Sequence, residues 1–73
     1  MEQEELTNSI RYLLTKYLEK DRAKFVLADF EKTQDEGQYI GKEILHILTV
    51  EKAKEFENSD KDLLKEVAFN LGI

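Results

Sequence analysis

The stretch LTNSIRYLLTKYL, residues 6–18, carries the clearest structural signal in the chain. Its apolar side chains recur every three or four positions, which is the spacing that lines one face of an α-helix. These side chains are Leu6, Ile10, Leu13, Leu14, Tyr17 and Leu18. The pattern predicts a first helix over residues 3–20.

The composition agrees with a helical fold. The chain has 73 residues, no proline, no cysteine and three glycines, so little interrupts a helix and no disulfide can form. Hydrophobic residues make up 41% and charged residues 37%, a mixture too apolar and too periodic for a disordered chain. We therefore predict an all-α fold in which residues 1–73 form a single domain, a small antiparallel bundle of four or five short helices.

The apolar positions change direction after residue 20. The stronger stripe of the next segment is displaced by roughly 140° from the continuation of the first, and it consists of Ala23, Val26, Leu27 and Phe30. A break near 20–22, with Asp21 as the N-cap of a second helix, resolves the mismatch. A short strand over residues 25–27 is the alternative, which the surrounding alanine, aspartate and lysine residues disfavour.

Cap residues predict the boundaries in the middle of the chain. The second helix is expected to end at residues 35–36, with Gly37 as its left-handed cap. The third helix covers residues 39–48 and is apolar around most of its girth, so we expect it to be the most buried element. Thr49 is a candidate N-cap for residues 50–57, and whether these continue the third helix is left open.

The C-terminal part predicts one more helix. Within residues 50–57, Ala53 and Phe56 are expected to face the core. Ser59, followed three positions later by Asp62, matches the capping box that opens a helix. Gly72 is the candidate cap at its end. Its apolar face would contain Leu63, Leu64, Val67 and Leu71.

The charge distribution argues against nucleic-acid binding. The net charge is −5, with six Lys/Arg against nine Asp/Glu over residues 1–36 and five against seven over residues 37–73. A nucleic-acid-binding protein needs a basic footprint, which this spread does not provide. We also expect no membrane span and a cytoplasmic location, because apolar runs are short and the first residues are acidic.

The sequence contains no convincing catalytic or metal-binding motif. His46 is the only histidine and there is no cysteine, so we expect a structural residue near solvent or under a neighbouring helix. The segment NSDKD, residues 58–62, resembles the start of a calcium loop but lacks the glycine and the glutamate that the loop requires. We therefore predict a protein that is not an enzyme and uses no cofactor.

Four aromatic residues are candidates for partner binding. Tyr12, Phe25 and Phe69 lie off the main apolar stripes of their helices, and Tyr39 widens the apolar face of the third helix. Large apolar side chains off the core face belong either to a wider core or to an interface. The sequence leaves these two alternatives open for Phe25 and Phe69.

Two segments resemble a known family. Residues 10–21, IRYLLTKYLEKD, look like its first helix, and residues 35–45, DEGQYIGKEIL, look like the polar turn and tyrosine-led helix that follow. Over residues 5–70 the chain is similar to the bacteriocin immunity proteins of lactic-acid bacteria, of the enterocin A and lactococcin A type. The resemblance implies a cytosolic antiparallel helical bundle that protects its host by binding. The chain is shorter than is usual in that family and lacks the basic C-terminal segment of several members.

These observations together predict a protein-binding module. The acidic surface, the small scaffold and the off-stripe aromatic residues fit an inhibitory or immunity-type protein that neutralises or occludes a partner protein with a basic surface. Two alternatives stay open. One is a structural or assembly protein that forms a homodimeric helical bundle, and the other is a small acidic phage or regulatory protein that antagonises a host factor.

Overall fold

A computed structural model of the chain describes residues 2–35 and 41–72. These residues form four α-helices and no strand: α1 (Gln3–Tyr17), α2 (Lys20–Asp35), α3 (Gly41–Glu51) and α4 (Asn58–Asn70). The all-helical prediction is therefore confirmed, and the strand proposed as an alternative over residues 25–27 is wrong. Gly37, the predicted cap, and Tyr39, the predicted start of the third helix, lie outside the described residues.

The first helix is the centre of the fold. α1 packs against α2, α3 and α4, and its predicted apolar stripe is buried. The rest of the core comes from the other three helices, through Ala23, Val26, Phe30, Ile44, Leu48 and Val67. Burying a large aliphatic or aromatic side chain stabilises the folded state by about 1.5–3 kcal/mol, so this stripe is the main source of stability.

The expectation that the third helix would be the most buried is wrong. α3 buries Ile44 and Leu48, whereas Leu45 and Ile47 are half-buried and Val50 is exposed. Burial depends on how closely neighbouring helices pack against an element, and the most extensive contacts in the fold are those of α1 with α2 and α4. The apolar residues of α3 therefore exceed the surface that its neighbours can cover.

The break between α1 and α2 comes earlier than predicted. Leu18 has the extended backbone angles φ −93° and ψ 155°, and its N–H still donates to the Leu14 carbonyl at 3.1 Å. The first bond of α2 runs from the Ala23 N–H to the Glu19 carbonyl at 2.7 Å, so Asp21 is inside the first turn and is not the N-cap. The turn at Leu18 lets that side chain stay buried while α2 turns its own apolar face inward.

Residues 50–57 do not form the predicted helix. α3 continues to Glu51, and the Thr49 hydroxyl donates back to the Leu45 carbonyl at 2.8 Å instead of capping a new helix. Residues 52–57 form a non-helical connection. Ala53 is exposed, contrary to expectation, but its N–H donates to the carbonyl of Tyr17 at 2.7 Å. This bond satisfies a carbonyl at the end of α1 that has no partner within its own helix, and it holds the connection in place.

The last helix has the predicted apolar face but not the predicted start. Val67 is buried, and Leu63, Leu64 and Leu71 pack against the core, as expected. The N-cap is Glu57, whose side chain makes no capping hydrogen bond, so the capping box at Ser59 is wrong. Gly72 follows the helix with φ 77°, the left-handed conformation that a glycine adopts without strain, and this cap is confirmed.

Within the described ranges, no helix combines the length and the apolar character needed to cross a bilayer.

Candidate functional site

The four aromatic residues predicted to bind a partner have different surroundings. Phe25 is 67% exposed and Phe69 is 83% exposed, so neither ring belongs to the core. Tyr12 is 44% exposed and its hydroxyl is engaged within the protein. Tyr39 lies outside the described residues. The choice between core and surface is thus made for Phe25 and Phe69, while partner binding by any of the four stays a prediction.

Phe25 is part of a surface that spans α2 and α3. Its ring centroid lies 5.7 Å from the Arg22 guanidinium carbon. Arg22 in turn donates from Nε and Nη2 to the two carboxylate oxygens of Glu51, at 2.8 and 3.1 Å. Val50, the neighbour of Glu51, is 65% exposed. We call these four residues the α2–α3 patch: the two-pronged ion pair, the exposed ring beside Arg22, and the exposed Val50 that precedes Glu51 in the sequence.

The electrostatics of the patch are those of a surface ion pair. Hydrogen bonding to Arg22 lowers the pKa of Glu51, and the same bond raises the pKa of Arg22. Both groups are charged at neutral pH, and both are partly exposed. The patch therefore offers a partner apolar area with one fixed cation and one fixed anion.

Phe69 lies on a separate surface, the side of α4 that faces away from α1. It follows the buried Val67 by two residues, which places it roughly 200° around the helix. Asp62 and Glu66 precede Phe69 by seven and three residues, so they lie on the same side. We call Asp62, Glu66 and Phe69 the α4 outer face. Among the described residues its two carboxylates have no ion-pair partner.

Tyr12 belongs to a polar cluster between α1 and α4 that is centred on Asp60. Its hydroxyl donates to the Asp60 carboxylate, at 3.1 Å from Oδ1 and 3.3 Å from Oδ2. The Lys16 ammonium donates to Asp60 Oδ2 at 2.8 Å, to Glu57 Oε2 at 2.7 Å and to the Tyr12 hydroxyl at 2.9 Å. All three protons of Lys16 therefore have acceptors.

Tyr17 closes the same cluster from inside. Its hydroxyl donates to Asp60 Oδ2 and accepts the N–H of Glu57 at 3.0 Å. Its ring packs against Phe56 with the centroids 4.5 Å apart and the planes tilted by 58°. The Asp60 cluster thus comprises Tyr12, Lys16, Tyr17, Glu57 and Asp60. Within the described part of the chain, no buried polar side-chain atom lacks a partner.

The cluster favours the ionised form of its central carboxylate. Hydrogen bonds from Lys16 and Tyr17 lower the pKa of Asp60, even though burial alone would raise it. Hydrogen bonds to Asp60 and Glu57 raise the pKa of Lys16 far above its ordinary value, and burial raises the pKa of Tyr17. A general acid needs a carboxyl pKa shifted upwards, so this arrangement suits the joining of α1 to α4 and not proton transfer.

Asp60 is a site residue that the cap pattern of residues 58–62 does not indicate. It lies seven residues before Val67 and hence on the apolar stripe of α4. An acidic residue at a core position is the signal that could have found it, because acids are rarely buried without partners. His46 is exposed, in line with the predicted position near solvent. No group of side chains in the described ranges could hold a metal ion.

A groove between α1 and α2 is a further feature of the described residues. It has a volume of about 410 Å³, and its lining residues are Thr15, Leu18, Lys20, Ala23, Lys24 and Leu27. Leu18 and Ala23 are buried and form an apolar floor, whereas Lys20 and Lys24 are exposed. Among the described residues neither lysine has an ion-pair partner. We call this the α1–α2 groove.

Comparison of the chain with protein families, with curated proteins and with solved structures gave no match. The functional interpretation therefore depends on the contacts, the exposure and the charges described above.

Proposed function

We propose that the chain is a non-enzymatic protein-binding module, an inhibitory or immunity-type protein that occludes a site on its partner through the α2–α3 patch. The observation that carries the proposal is the exposure of the Phe25 ring next to the Arg22–Glu51 pair. Aromatic and arginine side chains supply most of the energy in protein interfaces.

The anchoring of the patch residues in two packed helices supports the proposal. Arg22 lies in the first turn of α2 and Glu51 is the last residue of α3, and their contact fits two antiparallel neighbours. An antiparallel bundle throughout and a cytoplasmic location are part of what we propose. Phe25 stands on a helix whose opposite side is fixed in the core by Val26 and Phe30. Little conformational freedom of the backbone at Phe25 is then lost on binding, which favours affinity.

The net charge of −5 favours a partner with a basic surface. A basic surface on the partner would be steered towards this chain and would bind faster at low salt. A small acidic phage or regulatory protein that antagonises a host factor would use the same surface, so these two biological roles differ in the partner and not in the mechanism.

The test is capture of the partner by the immobilised full chain from a lysate of its own organism. We expect Phe25→Ala to weaken capture by at least about tenfold, as for a side chain at the centre of an interface. Phe69→Ala is the matched control, because it removes the same ring from a different exposed surface. Circular dichroism of both variants should show unchanged helicity.

The captured protein then decides between occlusion and simple association. Its own activity, titrated with the purified chain, should fall until the two are present in equal amounts. Equal capture by wild type and Phe25→Ala would contradict the assignment to the α2–α3 patch, and unchanged activity would contradict occlusion. Capture of nothing but the chain itself would favour the homodimeric alternative.

A further inference from the structure

We propose that a second copy of this chain docks its α4 outer face into the α1–α2 groove. The two surfaces match in charge and in spacing. Each carries two charges one helical turn apart and an apolar side chain three residues further on. In the groove these are Lys20, Lys24 and Leu27, and on the outer face they are Asp62, Glu66 and Phe69.

Among the described residues, the ion pairs within the fold do not use the charges of either surface. Arg11 binds Glu31, Arg22 binds Glu51 and Lys16 binds Asp60. Within the described residues, neither lysine of the groove and neither acid of the outer face takes part in an ion pair. Residues four apart on a helix are about 5–6 Å from each other, so two rows of this spacing can pair side by side.

The groove has room for the ring of Phe69. A cavity of about 150 Å³ lined by aliphatic side chains is enough for benzene, and the open α1–α2 groove has a volume of about 410 Å³. Its floor is apolar because Leu18 and Ala23 are buried beneath it. Docking would cover Phe69, which is 83% exposed in the single chain, and would bring the acids against the lysines at the rim.

The flanks of α4 set the orientation of the docking. Lys61 and Lys65 lie on one side of Phe69, and Asp62 and Glu66 lie on the other. Only a placement that turns the acidic flank towards the groove avoids contact between like charges. The contact joins two different surfaces, so it closes into a dimer when both copies exchange it and otherwise continues into larger assemblies.

The inference does not depend on the proposed function, because it uses Phe69 and the groove while the function uses Phe25. The test is sedimentation velocity of the full chain from micromolar to millimolar concentration. We expect reversible association of the wild type, which Phe69→Ala weakens at least tenfold and which Phe25→Ala leaves unchanged. Lys65→Glu, on the other flank of α4, should not weaken it.

Charge reversal separates local pairing from overall repulsion. Lys20→Glu with Lys24→Glu should abolish association, and so should Asp62→Lys with Glu66→Lys. The second pair of changes raises the net charge from −5 to −1, which lowers long-range repulsion, so loss of association there identifies the local contact. The chain with all four changes keeps a net charge of −5 and should associate again.

Three results would overturn the proposal. They are a wild-type chain that stays monomeric at millimolar concentration, association that survives both reversals, and failure of the fourfold variant to associate. Circular dichroism of each variant must show the wild-type helicity, and a variant that loses helicity is replaced by Lys20→Gln with Lys24→Gln or by Asp62→Asn with Glu66→Gln. These neutral pairs should each weaken association at least tenfold.

Discussion

Two of the charged contacts between distant parts of the chain have the same length but differ in burial and in the number of their partners. Lys16 and Asp60 approach to 2.8 Å between α1 and α4, and Arg22 and Glu51 approach to 2.8 Å between α2 and α3. Asp60 is 4% exposed and accepts from three side chains. The side chains of Arg22 and Glu51 are 37% and 41% exposed, and the only ion pair that either makes among the described residues is with the other.

The comparison shows that a charged contact contributes to folding stability according to its burial and its shared partners, and not according to the distance between its charges. Water and salt screen the exposed pair, and such pairs contribute little to stability. A buried carboxylate is costly without partners, so the helices that provide its partners are held together for as long as it stays ionised. The Asp60 cluster therefore fixes the fold, whereas the Arg22–Glu51 pair is available to shape a surface.

The largest expected effect on the Tm follows from removing the central carboxylate of the Asp60 cluster. Asp60→Ala leaves the buried hydroxyl of Tyr17 and the ammonium of Lys16 without their shared acceptor. We expect the Tm to fall by about 10 °C or more, because breaking a buried charged network is strongly destabilising and a domain this small responds steeply. Thermal unfolding followed by circular dichroism measures the change.

A matched control for this prediction lies two residues away. Asp62 is exposed and has no ion-pair partner among the described residues. Asp62→Ala should change the Tm by less than about 4 °C. Equal effects of the two substitutions would show that the cluster does not hold α1 to α4.

The next effect in size is a loss of stability in acid. The pKa of Asp60 is lowered in the folded state, so the unfolded chain binds a proton more readily than the folded chain does. The contribution of ionised Asp60 to the free energy of unfolding is complete above the ordinary carboxyl pKa of 3.8, and it is lost as the pH falls below about 4. The Tm of the wild type should therefore drop between pH 5 and pH 3 by several degrees, on the order of 5 °C.

Asp60→Asn tests whether this acid limb belongs to the cluster. The variant should be less stable at pH 7 and should show a flatter decline in acid, because the titrating group is gone. The stability of the wild type should also fall at alkaline pH, and there the cause is loss of a proton, not gain of one. The pKa values of Lys16 and Tyr17 are raised, so their contribution is complete below about pH 10 and is lost above it. An unchanged acid slope in Asp60→Asn would assign the acid sensitivity to other carboxylates.

The smallest effect is expected at the exposed pair. Glu51→Gln should lower the Tm by less than about 4 °C, and the difference from wild type should vanish at high salt, since the pair is screened. Arg22→Gln is the companion variant, and the double substitution should add little to either. A salt-resistant loss as large as that of Asp60→Ala would remove the distinction between the two contacts.

The sequence predicted the elements that depend on local pattern. The stripe of α1 and the apolar face of α4 are as expected, and Gly72 adopts the predicted cap conformation. The predicted N-caps at Asp21, Thr49 and Ser59 failed. A capping residue must leave the helical conformation and find a free N–H, and these conditions depend on where the neighbouring helices force each turn.

The candidate surfaces were predicted in part. An aromatic side chain off the apolar stripe was recognisable at Phe25 and Phe69. Only the packing of the helices shows that both rings are uncovered. Tyr12 looked equivalent in sequence, yet Lys16 and Asp60 engage its hydroxyl. The groove could not be predicted at all, because its lining comes from two helices whose relative placement no local pattern states.

The amino-acid sequence by itself determined that this chain forms short helices and which side of each one is apolar, since both properties repeat with the period of the backbone. Only the tertiary structure decided that α1 is the centre, that Asp60 is a buried anchor and that Phe25 and Phe69 face outward. The physical reason is that burial is a property of neighbours. A side chain is buried, paired or exposed according to what distant segments place against it, and that placement depends on packing all four helices at once.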